Sequence, residues 1–265
     1  MQTGLYIVGT PIGNLGDMSP RAIEVLKNVD LVAAEDTRVF GKLATHFDIK
    51  TRRIACHEHN ERETIDTLIE HVANGGTVAV VSDAGMPAIS DPGFRVVRAA
   101  RAAGLPVFVV PGPTAVISAL VLSGFPTDRF TFCGFVDEKK LREDNRIRHT
   151  IVYYESPKRV KNTIAELARI MPERKIAIVR EITKIHEETI IGYPADLINI
   201  DAPRGEIVIV VAPAPEHKMS DTEISEIVNG VANGSTKYNA DLLARAAGIS
   251  KKEAYRRLIS KGQNE

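Results

Sequence analysis

The chain has 265 residues, of which 44% are hydrophobic and 26% are charged. This length suits one large domain or two moderate domains with a small appendage, and the composition excludes a disordered, collagen-like or coiled-coil chain. The 34 basic residues balance 34 acidic residues, so any contact with nucleic acid must come from local patches. The two cysteines, Cys56 and Cys133, predict neither a disulfide framework nor a zinc site, which suits a reducing compartment.

The first half of the chain alternates short apolar runs with amphipathic windows. The runs predict buried strands at 5–8, 31–34, 78–81 and 107–110. Ser19-Pro20 has the N-cap and N1 chemistry that starts a helix, and the apolar spacing over 65–72 predicts another helix. Alternating strands and helices imply a mainly parallel α/β sheet.

The second half predicts more strands and one clear helix, which follows Ser156-Pro157. The dense spacing of these strands suggests a mixed sheet, with strands at 130–135, 151–154, 176–179, 189–193 and 207–211. The uncharged stretch 102–127 is long enough to span a bilayer, but four prolines interrupt it. It predicts instead a strand, a Pro-Gly-Pro turn at 111–113 and a buried helix at 115–122. We therefore expect no membrane contact, and the absence of a signal-peptide pattern predicts a cytoplasmic protein.

The Pro-Gly-Pro turn is the expected hinge between two α/β domains. The predicted domains are residues 1–112, residues 113–215 and a small helical end at 216–265. Capping boxes pair Ser220 with Glu223 and Ser250 with Glu253 in this end.

Two predicted helices of the C-terminal end, at about 238–247 and 251–260, flank a turn at Gly248 and form a helix-turn-helix pattern. Between 236 and 262, seven basic residues face two acidic ones. This surplus suits either contact with nucleic acid or an ordinary solvated helical face.

Four loops rich in glycine or proline directly follow predicted strands, at 9–14, 82–87, 111–113 and 155–157. Such loops gather at the carboxyl ends of parallel strands, where ligands bind in open α/β folds. We expect them to share one cleft. Gly9, Gly13 and Gly16 match neither the dinucleotide fingerprint nor a P-loop, and no nucleophile elbow is present. His57-Glu58-His59 lacks an apparent third ligand, so we predict hydrogen bonding there and no metal.

Seven ordered segments resemble the bacterial ribosomal RNA small subunit methyltransferase I family, the ribose-methylating branch of the tetrapyrrole methylase superfamily. They are LYIVGTPIGNL at 5–15, AAEDTR at 33–38, HEHNE at 57–61, VSDAGMPAISDPG at 81–93, PGPTA at 111–115, YESPKR at 154–159 and REITK at 180–184. The resemblance runs from about residue 4 to 211 and is weaker across the C-terminal helices.

The resemblance implies a two-domain α/β fold, a homodimer, and methyl transfer from S-adenosylmethionine to the 2′-hydroxyl of a cytidine in 16S rRNA at the decoding region. It places the methyl donor against Pro11, Ile12, Gly13, Asn14, Asp83, Ala84, Gly85, Met86, Pro87, Pro111, Gly112, Pro113, Gly205 and Glu206. Two departures from the family pattern are Met86, where threonine is expected, and a short segment at 137–149.

Charged residues in the same segments are the candidates for chemistry and for RNA contact. The unranked candidates for a proton acceptor are Glu35, Asp36, Glu58 and Glu155, each of which could instead be a helix cap or half of an ion pair. The predicted RNA contacts are Arg38, Arg159, Arg180, Lys184, Lys251, Lys252, Arg256 and Arg257. Pairing with Glu35, Glu155 and Glu181 is the alternative for the first four. The competing functions are a methyltransferase acting on a small molecule such as a tetrapyrrole, and a non-catalytic nucleic-acid-binding protein.

Overall fold

A computed structural model describes residues 1–57, 61–200, 205–215, 224, 236–247 and 249–261. The chain forms two compact units, Met1–Ala214 and Pro215–Glu265. The larger unit contains two five-stranded sheets. Among the described residues, no helix has the length and apolar character that a bilayer crossing requires.

The first sheet confirms the prediction of a mainly parallel sheet, since all of its strand pairs are parallel, with strand order β3-β2-β4-β1-β5. Its strands are β1 (Gly4–Val8), β2 (Leu31–Ala34), β3 (Arg53–Ala55), β4 (Thr77–Val81) and β5 (Val107–Val110). The short edge strand β3 was not predicted. Both faces of the sheet are covered, because alternate residues of β1 belong to different hydrophobic clusters: Tyr6 and Val8 to one, Leu5 and Ile7 to another. Burial on both faces explains the continuous apolar runs.

Helices connect the parallel strands. Those of the first half are α1 (Pro20–Asn28), α2 (Thr37–His46), α3 (Glu61–Ala73) and α4 (Phe94–Ala102). The start of α1 is confirmed, since the Ser19 hydroxyl accepts the Ala22 N–H at 3.1 Å and Pro20 occupies the first helical position. Helices α2 and α4 were not predicted.

The second sheet is mixed, as predicted, with strand order β6-β7-β10-β8-β9. Only the β6–β7 pair is parallel. Its strands are β6 (Phe130–Phe135), β7 (Thr150–Glu155), β8 (Ile176–Arg180), β9 (Glu188–Gly192) and β10 (Ile207–Val211). Because β10 runs antiparallel to β7, Ile207 at its start lies beside Glu155 at the end of β7. Residues far apart in sequence therefore meet at one edge.

The helices of the second half are α5 (Ala115–Ser123), α6 (Leu141–Asp144), α7 (Val160–Ile170) and α8 (Pro194–Leu197). The prediction that α5 is buried holds for one side only. Val116 and Leu120 are in the core, whereas Ile117 is 44% and Val121 is 68% exposed. The sequence did not reveal this because α5 is apolar all round.

The smaller unit contains α9 (Thr236–Ala247) and α10 (Lys251–Lys261), which confirm the two predicted helices. Ala240, Leu243 and Ala254 form a small core between them. The Ser250 hydroxyl accepts the Glu253 N–H at 3.1 Å, as expected for the second capping box. The first box, Ser220 with Glu223, lies outside the described residues.

Candidate active site

Three of the four predicted loops meet through their backbones at the carboxyl edge of the first sheet. Thr10 and Gly85 exchange two backbone hydrogen bonds, of 2.9 and 3.1 Å. Gly9 packs on Gly112, so that a Cβ on Gly9 would lie 2.7 Å from the Gly112 Cα. No larger residue fits this approach without movement of the backbone. The loops after β1, β4 and β5 thus form one continuous surface.

A first cavity of about 350 Å³ opens between this surface and the second sheet. Six of the predicted donor-binding residues line it: Ile12, Ala84, Gly85, Met86, Gly205 and Glu206. Glu155, Ser156 and Pro157 of the fourth predicted loop also line it, as expected for loops that share one cleft. The remaining lining residues were not predicted as site residues, and these are Ile89, Asp91, Thr114, Ala115, Phe135, Tyr154, Ile207 and Val208. The volume is in the range of small-ligand sites.

A second cavity of about 330 Å³ adjoins the first and shares Ile12, Ala84 and Glu206 with it. Three further predicted donor residues line only this cavity: Pro11, Gly13 and Asp83. The rest of its wall comes from Thr10, Leu15, Val39, Phe40, Lys42, Leu43, Ser82 and Lys184. The two ligand-sized spaces therefore share part of their lining.

The remaining predicted donor residues are Asn14, Pro87, Pro111, Gly112 and Pro113, and none of them is among the lining residues of these two cavities. Asn14 caps the short 3-10 turn Leu15–Asp17, with its side-chain oxygen accepting the Gly16 N–H at 2.9 Å. Gly112 packs against the backbone of Gly9. These residues shape the loops that carry the lining side chains.

Carboxylates concentrate at the ends of β2 and β4. The Glu35 carboxylate accepts the Asp83 N–H at 3.1 Å, and the Asp83 carboxylate accepts the Asp36 N–H at 3.1 Å. Burial raises the pKa of Glu35 and of Asp83. The pKa of Asp36 is lowered instead, because Arg38 donates side-chain and backbone hydrogen bonds to it. Asp36 also caps α2, so it is the weaker base of the three.

Asp91 is a site residue that the sequence analysis missed, although it lies in the quoted segment 81–93. Burial, followed by the negative charge of Glu35, raises the pKa of Asp91 to about 6. Two residues that precede Asp91 in the same loop have positive φ, Ala88 at 71° and Ser90 at 62°. Backbone strain of this kind is typical of ligand loops. A raised carboxylate pKa in a cleft is likewise a mark of functional sites.

Glu155 has a structural set of partners. Its side chain is 1% exposed, accepts the Ser156 N–H at 2.6 Å and pairs with Arg159 at 2.8 Å. The Thr163 hydroxyl also donates to it. Such a fully engaged carboxylate holds the end of β7 against α7. Glu58, another candidate proton acceptor, lies outside the described residues.

Lys184 lines the second cavity and contacts Glu206, which lines both. Its ammonium contacts the carboxylates of Glu181 and Glu206, each at 3.0 Å. The Glu206 N–H also donates to Glu181, at 3.1 Å. Gly205 has φ of +87°, and a Cβ there would overlap the Glu181 carboxylate. The glycine therefore allows this ion-pair network to form.

Most of the other predicted RNA contacts also have acidic partners. Arg38 pairs with Asp36 at 2.6 Å, and not with Glu35, while its side chain remains 89% exposed. Arg180 pairs with Glu188 at 2.7 Å. In the smaller unit the pairs are Lys251 with Asp241 at 2.9 Å, Arg256 with Glu253 at 3.0 Å and Arg257 with Glu253 at 2.9 Å. Lys252 is exposed on α10. Within the part of the chain that the structure describes, no cluster of three metal-ligating side chains occurs.

Comparison with known proteins identifies the class of this fold. A family profile described as Tetrapyrrole (Corrin/Porphyrin) Methylases matches residues 4–197. The uroporphyrin-III C-methyltransferase of Thermus thermophilus, solved in complex with S-adenosyl homocysteine, is similar with a TM-score of 0.55 and 22% identity. The match covers 79% of this chain and 97% of that one. The fold is therefore that of the tetrapyrrole methylases.

Closer relatives define the branch. The ribosomal RNA small subunit methyltransferase I of Vibrio cholerae is 40% identical, with 95% of this chain and 93% of the relative covered. The protein of the same name from Xylella fastidiosa is 44% identical, with 85% of each chain covered. The chain belongs to the ribosomal RNA small subunit methyltransferase I family, and it is an S-adenosylmethionine-dependent methyltransferase.

Proposed function

We propose that this enzyme methylates the 2′-hydroxyl of a cytidine in 16S rRNA, at the decoding region, in the cytoplasm. Relatives bearing the small subunit methyltransferase name match nearly the whole chain, with 95% of it covered in the Vibrio cholerae protein. S-Adenosylmethionine supplies a methyl group already activated on a sulfonium. The protein must therefore align the acceptor oxygen and accept its proton.

The first cavity is the proposed donor site. Its apolar wall, which includes Met86, Phe135 and Val208, suits an adenine ring, and the N-terminal end of α5 at Thr114 and Ala115 favours a carboxylate. Asp91 lines the same space and, when ionised, attracts the positive charge of a sulfonium or ammonium group. The charge and polarity of the wall thus match each part of the donor.

The second cavity is the proposed site of the acceptor nucleotide. Leu15 and Val39 are 42% and 37% exposed and offer an apolar surface to a base, while Lys42 and Lys184 offer positive charge to a phosphate. The wall shared with the first cavity brings the acceptor hydroxyl next to the donor methyl group. This adjacency of two cavities is the observation that carries the proposal.

Asp83 is the proposed proton acceptor. It lines the second cavity, and burial raises its pKa, which makes its carboxylate a better base than an exposed aspartate. As the oxygen–carbon bond forms and the carbon–sulfur bond breaks, the hydroxyl proton passes to the Asp83 carboxylate. The N–H of Asp36 holds that carboxylate in place.

Basic groups around the cavities are the proposed RNA contacts. Arg38 and Arg159 lie at the starts of α2 and α7, Arg180 ends β8 and Lys184 follows it, and all four have an acidic partner. Phosphate oxygens of RNA would compete with these carboxylates for the same N–H groups. Lys251, Lys252, Arg256 and Arg257 extend the proposed contacts to the C-terminal helices.

A homodimer is also proposed. Helix α5 exposes Ile117 and Val121 one turn apart, although a helix apolar on all sides is usually buried. A second copy of the chain covering this face would remove that apolar surface from water.

The test is to incubate the purified chain with methyl-labelled S-adenosylmethionine and with small ribosomal subunits or naked 16S rRNA from cells that lack the enzyme. Label is expected on one alkali-resistant cytidine linkage, and the two substrates compared show which form of the RNA is used. Donor binding without label in either RNA would contradict the proposal and favour a small-molecule acceptor.

A further inference from the structure

One side of helix α10 combines positive charge with exposed apolar side chains. With about 3.6 residues per turn, positions 251, 252, 255, 256 and 259 fall on the same side. Tyr255 and Ile259 are 44% and 41% exposed, although they are large and apolar. Lys251, Lys252 and Arg256 surround them and are exposed. We name these five residues the α10 face.

The opposite side of α10 explains why this face points outward. Ala254 is fully buried and Leu258 packs against the same small core, together with Leu243 of α9. Arg257 lies on the inward half of the helix, is 31% exposed and pairs with Glu253. Helix packing therefore separates two neighbouring arginines: Arg256 lies on the face and Arg257 lies away from it.

We propose that the α10 face binds an unpaired stretch of RNA, with a base stacked on the Tyr255 ring and phosphates held by the flanking cations. An aromatic ring among cations is the arrangement by which proteins bind single strands, because every base has a flat face and every linkage carries a negative charge. An apolar protein surface would match Tyr255 and Ile259, but it would cover the charges of Lys252 and of Arg256, whose carboxylate partner Glu253 is shared with Arg257. RNA is therefore the occupant that satisfies both properties of the face.

This inference rests on the proposed function, since it gives the ribosomal RNA substrate a second point of attachment outside the methylation site. It also reduces the predicted RNA contacts of the C-terminal helices from four basic residues to three. Of the four basic residues predicted there, Lys251, Lys252 and Arg256 belong to the contact, whereas Arg257 lies away from it and pairs with Glu253 of the same helix.

The test is a fluorescence-anisotropy titration of the full chain with a labelled single-stranded oligocytidine and with a duplex of the same length. Tyr255→Leu is expected to weaken single-strand binding by about 5-fold or more, whereas Tyr255→Phe keeps the ring and the affinity. Arg256→Gln should lower the salt slope of log K by about one. Arg257→Gln, which loses the same carboxylate partner on the other side of the helix, should leave the slope unchanged.

Wild-type affinity in Tyr255→Leu would overturn the inference, as would an equal loss in Tyr255→Phe or an equal loss for the duplex. Circular dichroism of each variant checks that α10 remains folded, and the two arginine variants decide the question if Tyr255→Leu loses helicity. The labelling experiment on ribosomal RNA tests the proposed function separately. If the wild-type chain labels ribosomal RNA and the α10 variants bind the single-stranded oligocytidine with wild-type affinity, only the inference about the α10 face is contradicted.

Discussion

The carboxylate of Glu35 accepts the backbone N–H of Asp83 at 3.1 Å, which ties the end of β2 to the end of β4. In the other direction, the Asp83 carboxylate accepts the N–H of Asp36. These two bonds fix the direction of the Asp83 side chain at the second cavity. They also hold several carboxylates close together, and this proximity contributes to the raised pKa values of Glu35, Asp83 and Asp91.

The pH dependence of donor binding should follow Asp91. With its pKa at about 6, the carboxylate gains charge between pH 5 and 7, so affinity for the cationic donor is expected to rise over that range. Asp91→Asn should remove this rise. Isothermal titration of S-adenosylmethionine into both proteins at several pH values measures the donor affinity. If the affinity of the variant still rises with pH as in the wild type, Asp91 is not the source of the rise.

The raised pKa of Asp91 also predicts that the ionised carboxylate lowers the stability of the fold, although it strengthens donor binding. Because the folded-state pKa of Asp91 lies above its usual value of 3.8, the ionised group opposes folding above about pH 6, and this cost disappears below about pH 4. Asp91→Asn should therefore raise Tm at pH 8 and change it little at pH 4. Thermal unfolding without ligand at the two pH values tests the sign.

The contact between Gly9 and Gly112 should be essential to the site. A Cβ on Gly112 would lie 2.8 Å from the carbonyl carbon of Gly9, so Gly112→Ala must push the two loops apart. Misplacement on this scale is expected to lower the methylation rate by on the order of 100-fold. The control is Gly41→Ala within α2, where the nearest atom to the new Cβ is 3.5 Å away. That variant should keep its activity and gain about 1 kcal/mol in stability.

Arg38 should affect RNA capture without affecting the donor. Arg38→Gln removes an exposed guanidinium beside the second cavity, so the salt slope for RNA binding should fall by about one while donor affinity is retained. The matched control is Arg169→Gln on α7, another exposed arginine paired with a carboxylate. Equal RNA affinity and slope for wild type and Arg38→Gln, at several salt concentrations, would refute the role.

Glu155 should be sensitive to the loss of its buried partner. Thr163 is 1% exposed and donates its hydroxyl to the Glu155 carboxylate, so Thr163→Val leaves a buried charge with one bond fewer. The free energy of unfolding is expected to fall by about 1–3 kcal/mol. Thr45→Val in α2, at an exposed hydroxyl, should change it by less than about 0.5 kcal/mol. Denaturant unfolding measures the stability of both variants. A Thr163→Val protein as stable as the wild type would contradict the structural role of Glu155.

The proposed dimer should depend on α5. Val121→Glu places a charge on its exposed apolar side and is expected to yield a monomer, whereas Asn162→Glu adds the same charge on α7 and should leave the dimer intact. Light scattering coupled to size-exclusion chromatography gives the mass of each. A Val121→Glu protein of dimeric mass would exclude this face as the interface.

Local chemistry alone was enough for most of the strands and for the helices with clear start signals. Ser19-Pro20 starts α1 and Ser250 caps α10, because both signals act within one helical turn. The apolar runs became strands, since a strand buried on both faces has no polar alternation. The gathering of the loops after β1, β4 and β5 followed from strand direction, which periodicity and alternation already indicate. The resemblance of seven segments then named the family.

Only the tertiary structure decided how the charged side chains are used. Asp91 was overlooked because its raised pKa arises from burial and from the charges of residues eight or more positions away along the chain, Glu35 and Asp83. Arg38 paired with Asp36 and not with Glu35, whose carboxylate is engaged by the N–H of Asp83. Helices α2 and α4 and the outward side of α5 were also missed. For the charged side chains the deciding neighbour comes from another part of the chain, and a sequence pattern reports only the neighbours within a turn or a strand. The start of α2 is a local signal that was overlooked, because the Asp36 side chain accepts the Arg38 N–H.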